Sequence, residues 1–351
     1  MSNFLKLNEF ASILGVTRQT ASKKLKNNEY PSFSKNNVFK IPSFFEDLKN
    51  IEEYEAETFS DKHKCFTFLI GNNKGGSGKT TSSINIASSI AFYGKKVLLV
   101  DMDNQSNAST INKLHIENDF DKRNITKILL EMRDYEEGQL EVELSKTIVN
   151  VQSEHFKVGK FDLLPNSLEW DIEKEALFNY SNAENILNRL LKKLKNDYDF
   201  IIIDTSPSMD ITWRMSVMAS DAMIIGMKPE QYSIEGLGGV YKRIYRLNED
   251  YKEIKGHNIE VLGAIITDYK KQTNIAKLNM PTIENALHKY SRYNNSILLL
   301  PAISHSIKAS EQQSQDGPIM FDDTSSNMNL EYLELTKNII TQLYFLDSER
   351  N

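Results

Sequence analysis

The stretch that most limits the fold is "KCFTFLIGNNKGGSGKTTSSINIAS", residues 64–88. Its run at 65–71 is apolar at nearly every position, so neither face of a strand there suits water. A glycine-rich turn follows, and from residue 79 the pattern is helical. Four more short apolar runs recur downstream: "KVLLVD" (96–101), "YDFIIID" (198–204), "DAMIIGM" (221–227) and "IEVLGAIIT" (259–267). Helical patterns at 79–93, 182–195, 233–250 and 329–346 separate or follow them. Such a chain reads as α/β, a mostly parallel sheet with helices on both faces.

Within "NNKGGSGKTT", Gly75, Gly76, Ser77 and Gly78 form a loop whose backbone N–H groups can converge on one anion. The start of the following helix adds its dipole at the same point. Lys79 is placed to reach β- and γ-phosphates, and the Thr80 hydroxyl to ligate Mg²⁺. The strict G-x-x-x-x-G-K-[ST] template is not met, because Asn73 stands where its first glycine belongs. An unliganded glycine turn is the plainer alternative, but the strand–loop–helix context with Gly-Lys-Thr argues against it. A second lysine, Lys74, stands at the mouth of the loop, where a single phosphate site has no need of it.

Two acidic motifs sit at strand ends. "LLVDMDNQSN" places Asp101 and Asp103 two residues apart, on one side of their strand, and "FIIIDTSPS" places Asp204 at the end of the most apolar run. Ligand chemistry in parallel sheets gathers at the carboxyl ends of strands. One such Asp alone reads as a helix cap. Three beside a phosphate loop suit Mg²⁺, which takes few protein oxygens and keeps several waters.

The chain is 351 residues long, 40% hydrophobic and 26% charged, enough for a large core and more than one domain. Its one cysteine, Cys65, excludes a disulfide framework or a cysteine metal site within the chain. No signal-peptide pattern opens "MSNFLKLNEF" and no apolar run approaches ~18 residues, so a cytoplasmic protein without a membrane span is expected. Net charge is −6, unevenly spread. Residues 1–49 hold 8 Lys+Arg against 4 Asp+Glu, leaving 34 against 44 for the remainder. A basic head on an acidic body suggests two partners of different electrostatics. The acidic segment 50–62 reads as a linker between them, with 63–351 as the body.

In the head, Leu7, Phe10, Ala11 and Leu14 fall on one face of a short helix. Gly15 and Val16 make a turn, and Thr17 caps a second helix, "RQTASKKLK", that turns Ala21 and Leu25 inward. The pattern is that of a helix-turn-helix, similar to winged or MerR-like heads, exposing Arg18, Gln19, Ser22 and Lys23 to a major groove. "SKNNVFKIP" reads as a turn at Asn36-Asn37 and then a strand, a wing. The plain alternative is a small packing domain with a solvated lysine face.

"KGGSGKTT", "VLLVDMDNQSN", "YDFIIIDTSPS" and "MKPEQYSIEGL" together resemble the ParA-type, deviant-Walker partition ATPases, in the wider P-loop family with MinD and the nitrogenase iron protein, over roughly 65–347. The resemblance implies ATP/ADP and Mg²⁺ as cofactors, with Lys74 the signature lysine, Lys79 the ordinary phosphate lysine, Thr80 the Mg²⁺ ligand and Thr81 on the α-phosphate side. Asp103 would orient the attacking water, and Asp101 and Asp204 would act through magnesium-bound waters. "LLPAISHSIKASEQQSQDG" resembles the segment that runs near adenine through Pro301, with Lys308 at a position for non-specific DNA. "DYKKQTNIAK" offers Lys270, Lys271 and Lys277, of which Lys271 is the candidate, without the family's common Arg-Thr pair. Asn104 replaces the usual Pro, Ser106 the usual Gly and Ser206 the first Pro of Asp-Thr-Pro-Pro.

By this resemblance the chain forms a homodimer with ATP sandwiched between protomers and Lys74 reaching the partner's nucleotide. That dimer binds DNA non-specifically on the nucleoid, and a ParB-like centromere-binding protein stimulates hydrolysis. The head adds operator DNA. A site-specific repressor whose nucleotide only sets oligomeric state is the alternative. A MinD-like membrane cycler needs a basic amphipathic C-terminal helix, and "LEYLELTKNIITQLYFLDSERN" carries acids at both ends. An electron-transfer iron protein is excluded by the single cysteine.

Overall fold

The computed structural model describes residues 4–27, 33–35, 38–42, 65–110, 123–136, 138–151, 160–167, 176–177, 180, 182–255, 258–290, 296–306, 318 and 327–350. The expected linker at 50–62, the Asn36-Asn37 turn and Lys308 lie outside the described residues.

The head runs β1 (Phe4–Leu5), α1 (Leu7–Ile13), α2 (Arg18–Lys26), β2 (Phe33–Lys35) and β3 (Val38–Pro42). Its strands form an antiparallel sheet in the order β1-β3-β2. Phe10, Ala11, Ala21 and Leu25 are buried between the helices, as the periodicity requires. The Thr17 hydroxyl accepts the Thr20 N–H at 3.2 Å, the expected cap, and Gly15 turns with φ 61°. Arg18, Gln19 and Lys23 are exposed, and Ser22 is half-buried.

The body continues β4 (Phe66–Gly71), α3 (Lys79–Phe92), β5 (Val97–Met102), α4 (Asn107–Thr110), α5 (Ile125–Glu131), α6 (Gln139–Thr147), β6 (Val149–Val151) and β7 (Phe161–Leu164). After a 3₁₀ turn at Ala183–Asn185 come α7 (Ile186–Leu194), β8 (Phe200–Thr205), α8 (Ile211–Ala219), β9 (Ala222–Met227) and α9 (Gln231–Lys255). The last elements are β10 (Glu260–Ile266), α10 (Asn274–Tyr290), β11 (Ile297–Leu299) and α11 (Asn327–Arg350). The sheet order is β11-β10-β9-β4-β8-β5-β7-β6, parallel throughout except for the β6–β7 pair at one edge.

Alternate residues of each central strand enter opposite cores. Phe66, Phe68 and Ile70 of β4 join Phe200 and Ile202 of β8 beneath α3 and α11. Leu69 joins Ile201, Ile203, Met223 and Ile225 beneath α7, α8, α9 and α10. Because both faces are covered, these strands carry no polar alternation, which is why they read as continuous apolar runs. Phe66 packs edge-on against Tyr344 of α11 with ring centres 5.3 Å apart, fixing the last helix over the middle of the sheet. The short strands β6, β7 and β11, of three or four residues, and helix α10 were not singled out in the sequence.

Candidate nucleotide-binding site

The loop between β4 and α3 lies at the carboxyl ends of β9, β8 and β5, where the parallel order puts the ends of the most apolar strands side by side. Its base is tied to β9, since the Asn72 amide donates to the Gly226 carbonyl at 2.6 Å. At its far end the Thr267 hydroxyl, just past β10, donates to the Ser77 carbonyl at 3.0 Å. Gly76 and Gly78 take left-handed φ of 66° and 75°. A Cβ at Gly78 would sit 2.9 Å from the Thr267 side chain, so backbone angle and space both demand glycine there.

The two lysines occupy different surroundings. Lys79 is 6% exposed, and its ammonium donates to the Lys74 carbonyl at 3.1 Å, folding back over the loop. Burial lowers its pKa, and the nearby Asp204 and Asp103 charges oppose that shift. The Lys74 side chain, 41% exposed, points away and pairs with Glu230 at the start of α9 at 2.8 Å.

The three aspartates converge as expected but differ in how their oxygens are used. Asp101 is fully buried and accepts the Asp103 N–H at 3.1 Å, the Ser109 N–H at 2.9 Å and the Ser109 hydroxyl at 2.7 Å. Burial still wins over these bonds and lifts its carboxyl to about 7. Asp103 accepts the Gln105 N–H at 3.1 Å and the Asn107 amide at 3.4 Å, and Asn166 donates to its carbonyl at 3.3 Å. Asp204 receives the Ser83 hydroxyl at 3.0 Å on Oδ1. Its Oδ2 is buried without a hydrogen-bond partner among the described residues. Burial first, then the Asp101 and Asp103 charges, push the Asp204 carboxyl up, while the Thr80 and Ser83 hydroxyls pull it down.

An unsatisfied carboxylate oxygen beside the Thr80 hydroxyl is what a cation with few protein ligands needs. The Ser77 hydroxyl in the loop is likewise buried without a partner among the described residues. The residues present therefore fit both a phosphate chain and Mg²⁺. Asp101, with both oxygens engaged by its own chain, suits only a water-mediated place in such a shell.

The Pro301 segment joins this site through backbone. Ile303 N–H donates to Ile266 at 2.8 Å and Tyr269 N–H to Ile303 at 2.9 Å, so the loop after β11 lies against the residues after β10. The Leu300–Pro301 peptide is cis, and Asn338 of α11 donates to the Leu300 carbonyl at 2.7 Å. Lys270 and Lys271 are exposed in the turn just beyond, and Lys277 is exposed on α10. Thr81 is half-buried in the first turn of α3.

Sequence reasoning did not single out Asn72, Ser83, Ser109, Asn166, Glu230 or Thr267. Ser83 alone carried a local signal, lying four residues after Lys79 and so on the same helix face. Ser106, in place of the expected glycine, keeps a left-handed φ of 50°, and its buried hydroxyl has no partner among the described residues.

A family model described as "AAA domain" matches residues 67–256, more than half of the chain. The four motifs all fall on this one nucleotide face or at its edge. The chain belongs to the ParA-type P-loop family. This ParA-type chain is 29% identical to the sporulation initiation inhibitor protein Soj of Bacillus subtilis, over 77% of its own length and 96% of Soj. It is 28% identical to the chromosome partitioning protein ParA of Myxococcus xanthus, over 77% and 86%. Among solved structures, a putative plasmid partition protein of Borrelia burgdorferi bound to AMPPNP aligns with TM-score 0.58 over 79% of this chain and 99% of that one, at 24% identity, a likeness of fold. Cobyrinic acid a,c-diamide synthase of Mycobacterium smegmatis, solved with ADP and magnesium, aligns with TM-score 0.55 at 25% identity over 71% and 91%. The family match begins at residue 67, so the head of this ParA-type chain lies outside it.

Proposed function

We propose that this ParA-type chain is an ATP-hydrolysing DNA partition switch that dimerises on ATP, binds nucleoid DNA non-specifically in the cytoplasm, and is driven back by a cargo-bound, ParB-like partner. The observation that carries the reading is the division between the lysines: Lys79 is buried in its own loop, while Lys74 faces outward and pairs with Glu230.

The loop N–H groups and the α3 terminus receive the phosphates, and Lys79 holds the charge at their far end. Thr80 and Asp204 would hold Mg²⁺, which would neutralise part of the phosphate charge. Asp103, fixed by Gln105 and Asn107, keeps an acceptor in place to orient the attacking water. Thr81 lies on the α-phosphate side, and Pro301 and its neighbours border the base. Lys74 leaves Glu230 and completes the partner's site, supplying charge where hydrolysis develops it. An exposed ion pair such as Lys74–Glu230 is worth about 0–1 kcal/mol, so a nucleotide on the partner can outbid it. Such an interface is isologous and two-fold.

ATP thus selects the dimer, which doubles the cationic contacts offered to DNA by Lys271 and Lys308. Lys74→Ala is expected to leave monomer ATP affinity within about threefold of the parent while hydrolysis falls on the order of 10³-fold. A variant that dimerises and hydrolyses like the parent would overturn the exchange of lysines.

The exposed Arg18, Gln19 and Lys23 on α2 favour a second activity, operator recognition by the head. Gel-shift assays separate it from the first. Binding to random DNA that appears only with ATP supports partition. Binding to a single palindrome in either nucleotide state supports a site-specific repressor whose nucleotide sets oligomeric state.

A further inference from the structure

In the segments that follow three successive strands, polar side chains meet each other rather than the phosphate loop. Lys228 follows β9, Asp268 follows β10 and His305 follows β11. One Asp268 oxygen bonds the His305 ring at Nδ1, and the other pairs with the Lys228 ammonium at 3.2 Å. Backbone reinforces the junction: Tyr269 N–H donates to Ile303 at 2.9 Å and His305 N–H donates to Tyr269 at 3.0 Å. Glu331 of α11 accepts the Ser304 N–H at 2.7 Å and also takes the Ser304 hydroxyl.

Asp268 itself has φ 55°, in the left-handed region that Asp enters more readily than most non-glycine residues. Partial burial alone would raise its carboxyl, yet the bonds from His305 and Lys228 hold it below the ordinary carboxylate range. The residue before it, Thr267, braces the phosphate loop at Ser77. The residues between Pro301 and His305 form the loop that the proposed function sets beside the base.

We propose that Asp268, clasping His305 and Lys228, is a positioning residue that fixes the two loops bordering the nucleobase and so sets the base-dependent part of nucleotide affinity. This rests on the reading that the Pro301 loop borders the base. Each carboxylate oxygen of Asp268 is held by a side chain from a neighbouring loop, so its effect on the base passes through loop geometry. The clasp joins residues 228, 268 and 305, which are remote in sequence but adjacent across the sheet. None of the three has a part in the phosphate chemistry, so their loss should spare the binding of phosphates alone.

The test compares affinities of the full chain, with magnesium, for ATP and for inorganic tripolyphosphate. Asp268→Asn and His305→Ala are expected to weaken ATP on the order of tenfold and leave tripolyphosphate unchanged. His305→Gln, which retains a donor, should recover part of the ATP affinity and guards against a loss of folding in the first two. Equal losses for both ligands, or parental ATP affinity in folded variants, would overturn the clasp. A parent that binds tripolyphosphate as tightly as ATP would instead overturn the placement of the base, and the clasp's role with it.

Discussion

The nucleotide face and the head differ in what restrains their charged and polar groups. On the nucleotide face, Asp101, Asp103 and Asp204 are held by Gln105, Asn107 and Ser109 from the segment after β5 and by Ser83 from α3, which follows β4. In the head, Arg18, Gln19 and Lys23 ride on one nine-residue helix whose inner face buries only Ala21 and Leu25. The first arrangement is pre-organised for charge that develops during a reaction, and costs stability to keep carboxylates dry. On the proposed reading, the second would present long solvated side chains to a large charged surface and gain order on contact. The aspartates are braced from two segments of the chain, whereas the three head side chains share one helix beneath them.

The sharpest way to break this comparison is to remove the head's support. Phe10 is fully buried against α2, and Phe10→Ala is expected to cost about 3–5 kcal/mol, more than so small a unit can spare. Limited proteolysis should cut the head while ATP affinity of the body stays parental. Loss of both together would show that the two regions are one cooperative unit.

A middle-sized effect belongs to the nucleotide face. With its folded-state carboxyl at about 7, Asp101 binds a proton more tightly in the native chain than in the unfolded one. Stability from this group is therefore present at low pH and is lost as pH rises from about 4 toward neutrality. The melting temperature of the nucleotide-free protein should fall between about pH 5 and about pH 8, and Asp101→Asn should flatten that slope. A melting temperature that rises over this range in the parent and not in the variant would contradict the assignment.

The smallest effect tests Ser106. Its left-handed backbone costs about 1 kcal/mol in a serine and nothing comparable in glycine, though glycine gives back part of that through unfolded-state entropy. Ser106→Gly should raise stability by up to about 1 kcal/mol in denaturant melts. A clear loss would mean that the buried hydroxyl has a partner that matters more than the strain.

Much of this molecule is readable before any coordinates. The five runs expected as strands all fall within one sheet as neighbours β10-β9-β4-β8-β5, because a strand buried on both faces leaves an unbroken apolar signature. The short strands β6, β7 and β11 leave too few residues for any period to show. At the site, the phosphate loop and the strand-end aspartates are legible because each motif is contiguous. Their braces are not: Glu230 lies 156 residues from Lys74, and Thr267 lies 190 residues from Ser77.

The sequence by itself determined the class of sheet, the phosphate loop and the presence of one lysine beyond what a single loop uses. Those features rest on local rules of burial, backbone freedom and spacing, which act within a few residues. Only the tertiary structure decided that Lys79 folds inward while Lys74 turns out to Glu230, that Asp204 keeps an oxygen unsatisfied among the described residues, and that Asp268 ties His305 to Lys228. Each of those depends on which strand ends become neighbours, and hydrogen-bonded strand order brings together residues that no local pattern connects.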